Sequence, residues 1–263
     1  MPVMAHWQKP VFILFLVWFA VLEVCLILRI ETGEPGRWME GCFLITATVC
    51  ALLSLAQRLP FQNVLMAAVL IFCMAALVVG IASVTAVPFG PFVYSDRMGP
   101  RLFDAVPWAV PTLWIVIVVT GRGVARLIMR PWRKTNFYGF WVMGLTGVLA
   151  VVFDLGFEPF AVSVKHYWMW RPTLSSWIWH QVPWVNFLGW FVTTLAILAL
   201  TLPWLINKQP VKRPMDYLPL IQWMIVQAWI FTGNAMHGFQ GPCTLIALGA
   251  LATLVFAVRG ARW

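Results

Sequence analysis

The chain has 263 residues, 62% of them hydrophobic and only 10% charged, with a formal net charge of +9. A soluble domain of that length could not hide so much apolar surface in one core, so lipid is the expected solvent. The positive charge does not point to nucleic acid, because the lysines and arginines fall in short connections between apolar segments, where they read as topology signals.

A spanning helix needs about 20 mostly apolar residues to cross about 30 Å of hydrocarbon. In chain order the segments that qualify are 11–28, 38–57, 61–84, 108–129, 137–157, 184–206, 217–232 and 242–258, the last two being the weakest. Period-2 alternation is absent, which disfavours an outer-membrane barrel and leaves the helix to satisfy the backbone in lipid. The expectation is an all-α, polytopic helical membrane protein, one domain with seven or eight transmembrane helices. The first segment has Lys9 as its basic flank and no small-residue cleavage pattern after it, so it reads as a retained anchor. Cys25, Cys42, Cys50, Cys73 and Cys243 form no CxxC pair and read as packing residues, with neither a disulfide framework nor a metal site.

Counted by connection, 12 Lys and Arg fall on the side of the N-terminus, the even-numbered loops and the C-terminus, against 6 on the other. Both termini are therefore expected in the cytoplasm. Arg122, Arg126, Arg130, Arg133, Lys134, Lys208, Lys212 and Arg213 carry most of that bias. Seven of the nine acids lie on the opposite side: Glu31, Glu34, Glu40, Asp96, Asp104, Asp154 and Glu158, with Glu23 and Asp216 as exceptions. His166, His180, His237, Tyr94, Asn186 and Asn234 fall on that same non-cytoplasmic face. The role of Glu23, inside the first span, is open, one reading being a buried partner of another polar group.

Asp154 and Glu158, in VVFDLGFEPF, are four residues apart and would share a helix face, where carboxylates beside lipid usually serve a function. Crowded and away from water, such a pair offers an acid beside a base. The alternative is a plain helix end, broken by Gly156 and Pro159, whose acids pair with Arg171 or Lys165. The segment that follows, KHYWMWRPTLSSWIWHQVPW, is far too rich in tryptophan for an ordinary exposed loop. Its rings could form an interfacial belt, or a groove that holds a long apolar ligand and shields a cation. FGPF leading to AVPW is echoed by FEPF leading to QVPW, either by chance or as a parallel repeat.

On these residues the chain resembles the CruF-like carotenoid 1,2-hydratases, a membrane family of carotenoid biosynthesis that includes the bisanhydrobacterioruberin hydratases. VPFGPFVYSDRMGP is similar to the family's G-x-P-[YF]-G-x-[FY]-x-Y…G-P segment, and AVPWAVP follows it. DLGFEP resembles the family's acid pair followed by proline, and VPWVNFLGW its VP…N…GW segment. Together these cover about residues 80–200, roughly the middle 120. Departures are Val79, in the region where the pattern often carries an acid, Ala86 in place of a common Gly, and His180-Gln181 in place of Tyr-Gly.

The resemblance implies addition of water across the terminal C1–C2 double bond of an acyclic carotenoid end group, with no metal or organic cofactor. Asp154 and Glu158 are then the catalytic acids. Tyr94, Asp96, Trp168, Trp170, Trp184 and Asn186 are the expected substrate-binding residues, the tryptophans for the cation and Tyr94 or Asn186 for the water. Expected partners are a long polyene and membrane lipid. A pigment-binding subunit of a larger membrane complex is the alternative, and a transporter ranks last because the spans carry few charges.

Overall fold

Long apolar runs leave the chain one way to pair its own backbone in lipid, and the computed structural model is accordingly a bundle of helices. It describes residues 2–30, 33–172, 177–206 and 215–263, with side chains from 6 and, in the second segment, from 36 onward. Glu31, Lys208, Lys212 and Arg213 lie outside these residues, as does the side chain of Glu34. Eight α-helices occur among the described residues: α1 (Pro2–Ile27), α2 (Gly33–Ala56), α3 (Phe61–Thr85), α4 (Ala109–Ile128), α5 (Tyr138–Pro159), α6 (Trp184–Leu205), α7 (Leu218–Met236) and α8 (Gln240–Ala261). Seven are long and apolar enough to cross a membrane. The exception is α7, which packs against α1, α2, α4, α5 and α8 and buries Gln222, Gln227 and Asn234. A helix screened from lipid by its neighbours tolerates amides that a lipid-facing one would not. Glu23 of α1 hydrogen-bonds there with Thr232, while its Oε1 is buried with no partner among the described residues.

At the centre stands α4, in contact with α2, α3, α5, α7 and α8. Where elements approach closely, side chains are missing. A Cβ on Gly189 of α6 would fall 2.6 Å from Phe89 Cδ1 and 2.9 Å from the Pro88 carbonyl oxygen, so the absent side chain lets α6 dock on the loop after α3.

The connections at one end contain short strands that sequence periodicity does not reveal. β1 (Phe92–Tyr94) pairs antiparallel with β4 (Trp168–Trp170). β2 (Arg101–Leu102) pairs with β3 (Val106–Pro107), and β5 (Ile178–Trp179) with β6 (Val182–Pro183). The sequence echo therefore has a structural counterpart. In each unit a helix leads to a three-residue strand, then to a ribbon closed by Val-Pro, then to a second helix. The two three-residue strands pair with each other.

Candidate active site

Asp154 and Glu158 sit one turn apart on α5, 0% and 2% exposed, so a helical spacing of four does bring both carboxyls to one face. Asn186, in the first turn of α6 and 1% exposed, donates from Nδ2 to Asp154 Oδ2 at 2.7 Å and to Glu158 Oε1 at 3.1 Å. One amide nitrogen thus bridges two buried acids. Glu158 Oε2 accepts two further bonds, from Trp168 Nε1 at 3.0 Å and Trp170 Nε1 at 3.1 Å. Asp154 Oδ1 is buried with no partner among the described residues.

Both indoles reach one oxygen because alternate residues of a strand face the same way. Met169, between them, points outward and is exposed. The register of β1 against β4 is Phe92↔Trp170, Val93↔Met169 and Tyr94↔Trp168. It sets the Phe92 ring 5.6 Å from Trp170 and the Tyr94 ring 6.2 Å from Trp168, both edge-on. Burial first, and the Glu158 charge second, hold the Tyr94 phenol protonated well above its usual range.

Pro159 interrupts the helix just after the acids, and the chain continues through a wider π-helical turn, Phe160–Val164. The nearby Gly156 carbonyl accepts from Asn234 Nδ2 of α7 at 2.9 Å, which ties the acid-bearing end of α5 to a second helix.

Two cavities meet at this point. The smaller, about 40 Å³, is lined by Glu158, Asn186 and Tyr94 together with apolar residues, and could hold one water molecule. The larger, about 560 Å³, runs between α2, α4, α5 and α7 past Phe43, Phe153, Phe157 and Trp229. Val110, Trp114, Trp168 and Trp190 belong to the linings of both and form the partition between them. The Trp114 and Trp190 rings stack at 4.5 Å and 25°. In the wall of the larger cavity Glu40 accepts from Tyr167 Oη at 2.7 Å and pairs with Lys165 Nζ at 2.6 Å. Lys165 in turn stands 5.4 Å from the centre of the Trp229 ring. So Lys165 serves Glu40 and not the acid pair.

A buried acid pair beside an aromatic cavity, at the ribbon-bearing end of a helical bundle, is accompanied by a family match: the model for "Carotenoid biosynthesis protein" covers residues 39–256. The chain belongs to this family. It is also similar to a bisanhydrobacterioruberin hydratase of Haloarcula japonica, with 27% identity over 117 residues, which is 43% of this chain and 36% of that protein. The chain thus matches about a third of the relative's length. No solved structure matches it.

Of the residues expected to bind substrate in this carotenoid biosynthesis protein, Tyr94, Trp168, Trp170 and Asn186 converge on Glu158. Asp96 does not. It stands at the mouth of the larger cavity, exposed and paired with Arg101 at 3.2 Å. Trp184 lines neither cavity; it is 44% exposed and packs edge-on against Phe187. Sequence reasoning passed over Trp114, Trp190, Phe153 and Phe157, and did not assign Glu40 or Tyr167 to the site. Helical spacing held a signal for some of them, since Trp190 is one turn beyond Asn186, and Phe153 and Phe157 are one turn apart from each other. Val79, the departure from the family pattern, is buried in the lining of the small cavity with Glu158.

Proposed function

We propose that the protein adds water across the terminal C1–C2 double bond of an acyclic carotenoid end group. Glu158 is the catalytic acid and base, and Asp154 acts behind it through Asn186. The observation that carries this reading is the single Asn186 amide shared by two water-excluded carboxyls beside an aromatic cavity. Two acids so close disfavour double ionisation, so the pair is taken to hold one proton.

Glu158 gives that proton to C2; the alkene electron pair forms the new C–H bond and leaves a tertiary cation at C1. The faces of Trp168 and Trp170 stabilise the cation. A water held in the small cavity by Tyr94 and Asn186 attacks C1 and returns a proton to the Glu158 carboxylate. The product is a tertiary alcohol, the acid is restored, and no electrons leave or enter. The polyene lies in the larger cavity, and movement of the Trp168–Trp190 partition admits its end to Glu158. The 12-to-6 distribution of basic residues supports cytoplasmic termini and a site at the non-cytoplasmic face.

Expression in cells that accumulate lycopene or γ-carotene, read by mass spectrometry, tests the reading. A product heavier by one water, absent with Glu158→Gln, is expected. Unchanged carotenoid in membranes that contain the protein would sink it. One observation favours a second reading, a carotenoid-holding subunit: Val79 puts an alkyl group in the acid pocket where the resembled pattern often has an acid. Carotenoid that co-purifies unmodified would support that role.

A further inference from the structure

We propose that a cavity at the other end of the bundle, independent of the acid pair, binds a phosphate-bearing anion. This cavity has a volume of about 240 Å³ and lies between the last turns of α2 and α4, the 3-10 turn Arg130–Trp132 and the start of α7. Its lining on α4 begins at Val119, about 15 Å along the helix from Ala109 at the acid end.

Arg58, Arg122, Arg126, Arg130 and Arg133 all line it, against one acid, Asp216. That acid is already engaged: Ser54 Oγ donates to Oδ2 at 2.5 Å, the Leu218 N–H to Oδ1 at 3.0 Å, and Arg58 Nε lies 4.0 Å away. Of the other four arginines, Arg122 donates to the Leu205 carbonyl at 2.8 Å and Arg130 Nη1 donates to the Met215 sulfur, and the lining holds no second carboxylate for any of them. Residues 122, 126, 130 and 133 follow a spacing of four, four and three, which keeps them on one face as the helix tightens. Like charges so arranged repel each other, and an anion between them removes that repulsion. Arg130 Nε is buried with no partner among the described residues. Positive-inside topology is satisfied by solvated loop charges and does not call for a buried guanidinium N–H.

Every basic group here is an arginine, whose planar fork matches the paired oxygens of a phosphate. Trp132 and Phe137, the sequence neighbours of the lining residues Arg133 and Tyr138, are exposed, as are Phe140 and Trp141, and exposed aromatic side chains suit the lipid headgroup level. The ligand is therefore a phosphate-bearing anion, either the headgroup of an anionic lipid or a free inorganic phosphate or pyrophosphate.

The test uses the full chain in phosphatidylcholine nanodiscs, with phosphatidylglycerol added in one arm and inorganic pyrophosphate in the other, read by native mass spectrometry and thermal unfolding. Saturable binding is expected in one arm, weakened about tenfold by Arg126→Gln/Arg130→Gln. Lys9→Gln/Arg262→Gln removes equal charge outside the cavity and should leave binding unchanged. Arg133→Gln, at an exposed position, replaces the double variant if that variant does not fold. Binding of phosphatidylglycerol alone assigns the site to lipid, and binding of pyrophosphate assigns it to a free anion. Absence of saturable binding in both arms, or equal weakening by the control variant, overturns the proposal.

Discussion

Trp179 donates its indole N–H to the carbonyl oxygen of Leu155, 2.9 Å away and one turn before Pro159. In an unbroken helix that carbonyl would accept from residue 159, but proline has no N–H to give. A side chain from the β5–β6 ribbon before α6 therefore completes the backbone of α5 between Asp154 and Glu158. Trp179→Phe keeps most of the packing and leaves the carbonyl unpaired. A stability loss of about 1–3 kcal/mol is expected in thermal or chemical unfolding, and no loss would show that water replaces the indole.

The two acids should respond unequally, because Glu158 lines the small cavity and Asp154 lines neither. In the carotenoid assay Glu158→Gln is expected to cost about 10²–10⁴-fold, the range of a lost acid–base group. Asp154→Asn keeps a partner for Asn186 and should cost less. A larger loss for Asp154→Asn would reverse the assignment.

Two departures from the family pattern coincide with strained backbone. Ala86 closes α3 at φ 65° and Gln181 turns between β5 and β6 at φ 71°, both in the left-handed region where glycine is unstrained. Ala86→Gly and Gln181→Gly should each raise stability by about 1 kcal/mol without altering the acid pair. Unfolding midpoints in detergent measure this.

Alkaline pH should weaken the fold through two phenols. Tyr94 is held protonated by burial and the Glu158 charge, and Tyr167 by burial and then Glu40. In both, the folded value lies above 10, the ordinary phenol value that holds in the unfolded chain. Above that pH the unfolded chain binds fewer protons than the native one, so stability falls as pH rises. Below it the contribution is intact. Thermal unfolding followed from pH 8 to 11 should show the decline beginning at about 10, and Tyr94→Phe or Tyr167→Phe should make it shallower.

The bundle was legible in the sequence because lipid leaves a long apolar run few conformations, and the eight expected segments recur as helices, the largest shift being at the first, which begins at Pro2 instead of residue 11. The spacing of Asp154 and Glu158 likewise determined that they share a face. Their partners are a tertiary matter. Asn186 is 28 residues beyond Glu158, and β1 meets β4 across more than 70 residues, so no local pattern announces either contact. Packing also divided the tryptophans: Trp168 and Trp170 turn onto Glu158 because β1 fixes the register of their strand, while Trp184, equally conspicuous in the sequence, faces outward. Composition thus determined the solvent and the helices. Only the folded chain decided which polar groups leave that solvent together, because pairing buried acids with donors depends on contacts between helices and not on any one helix.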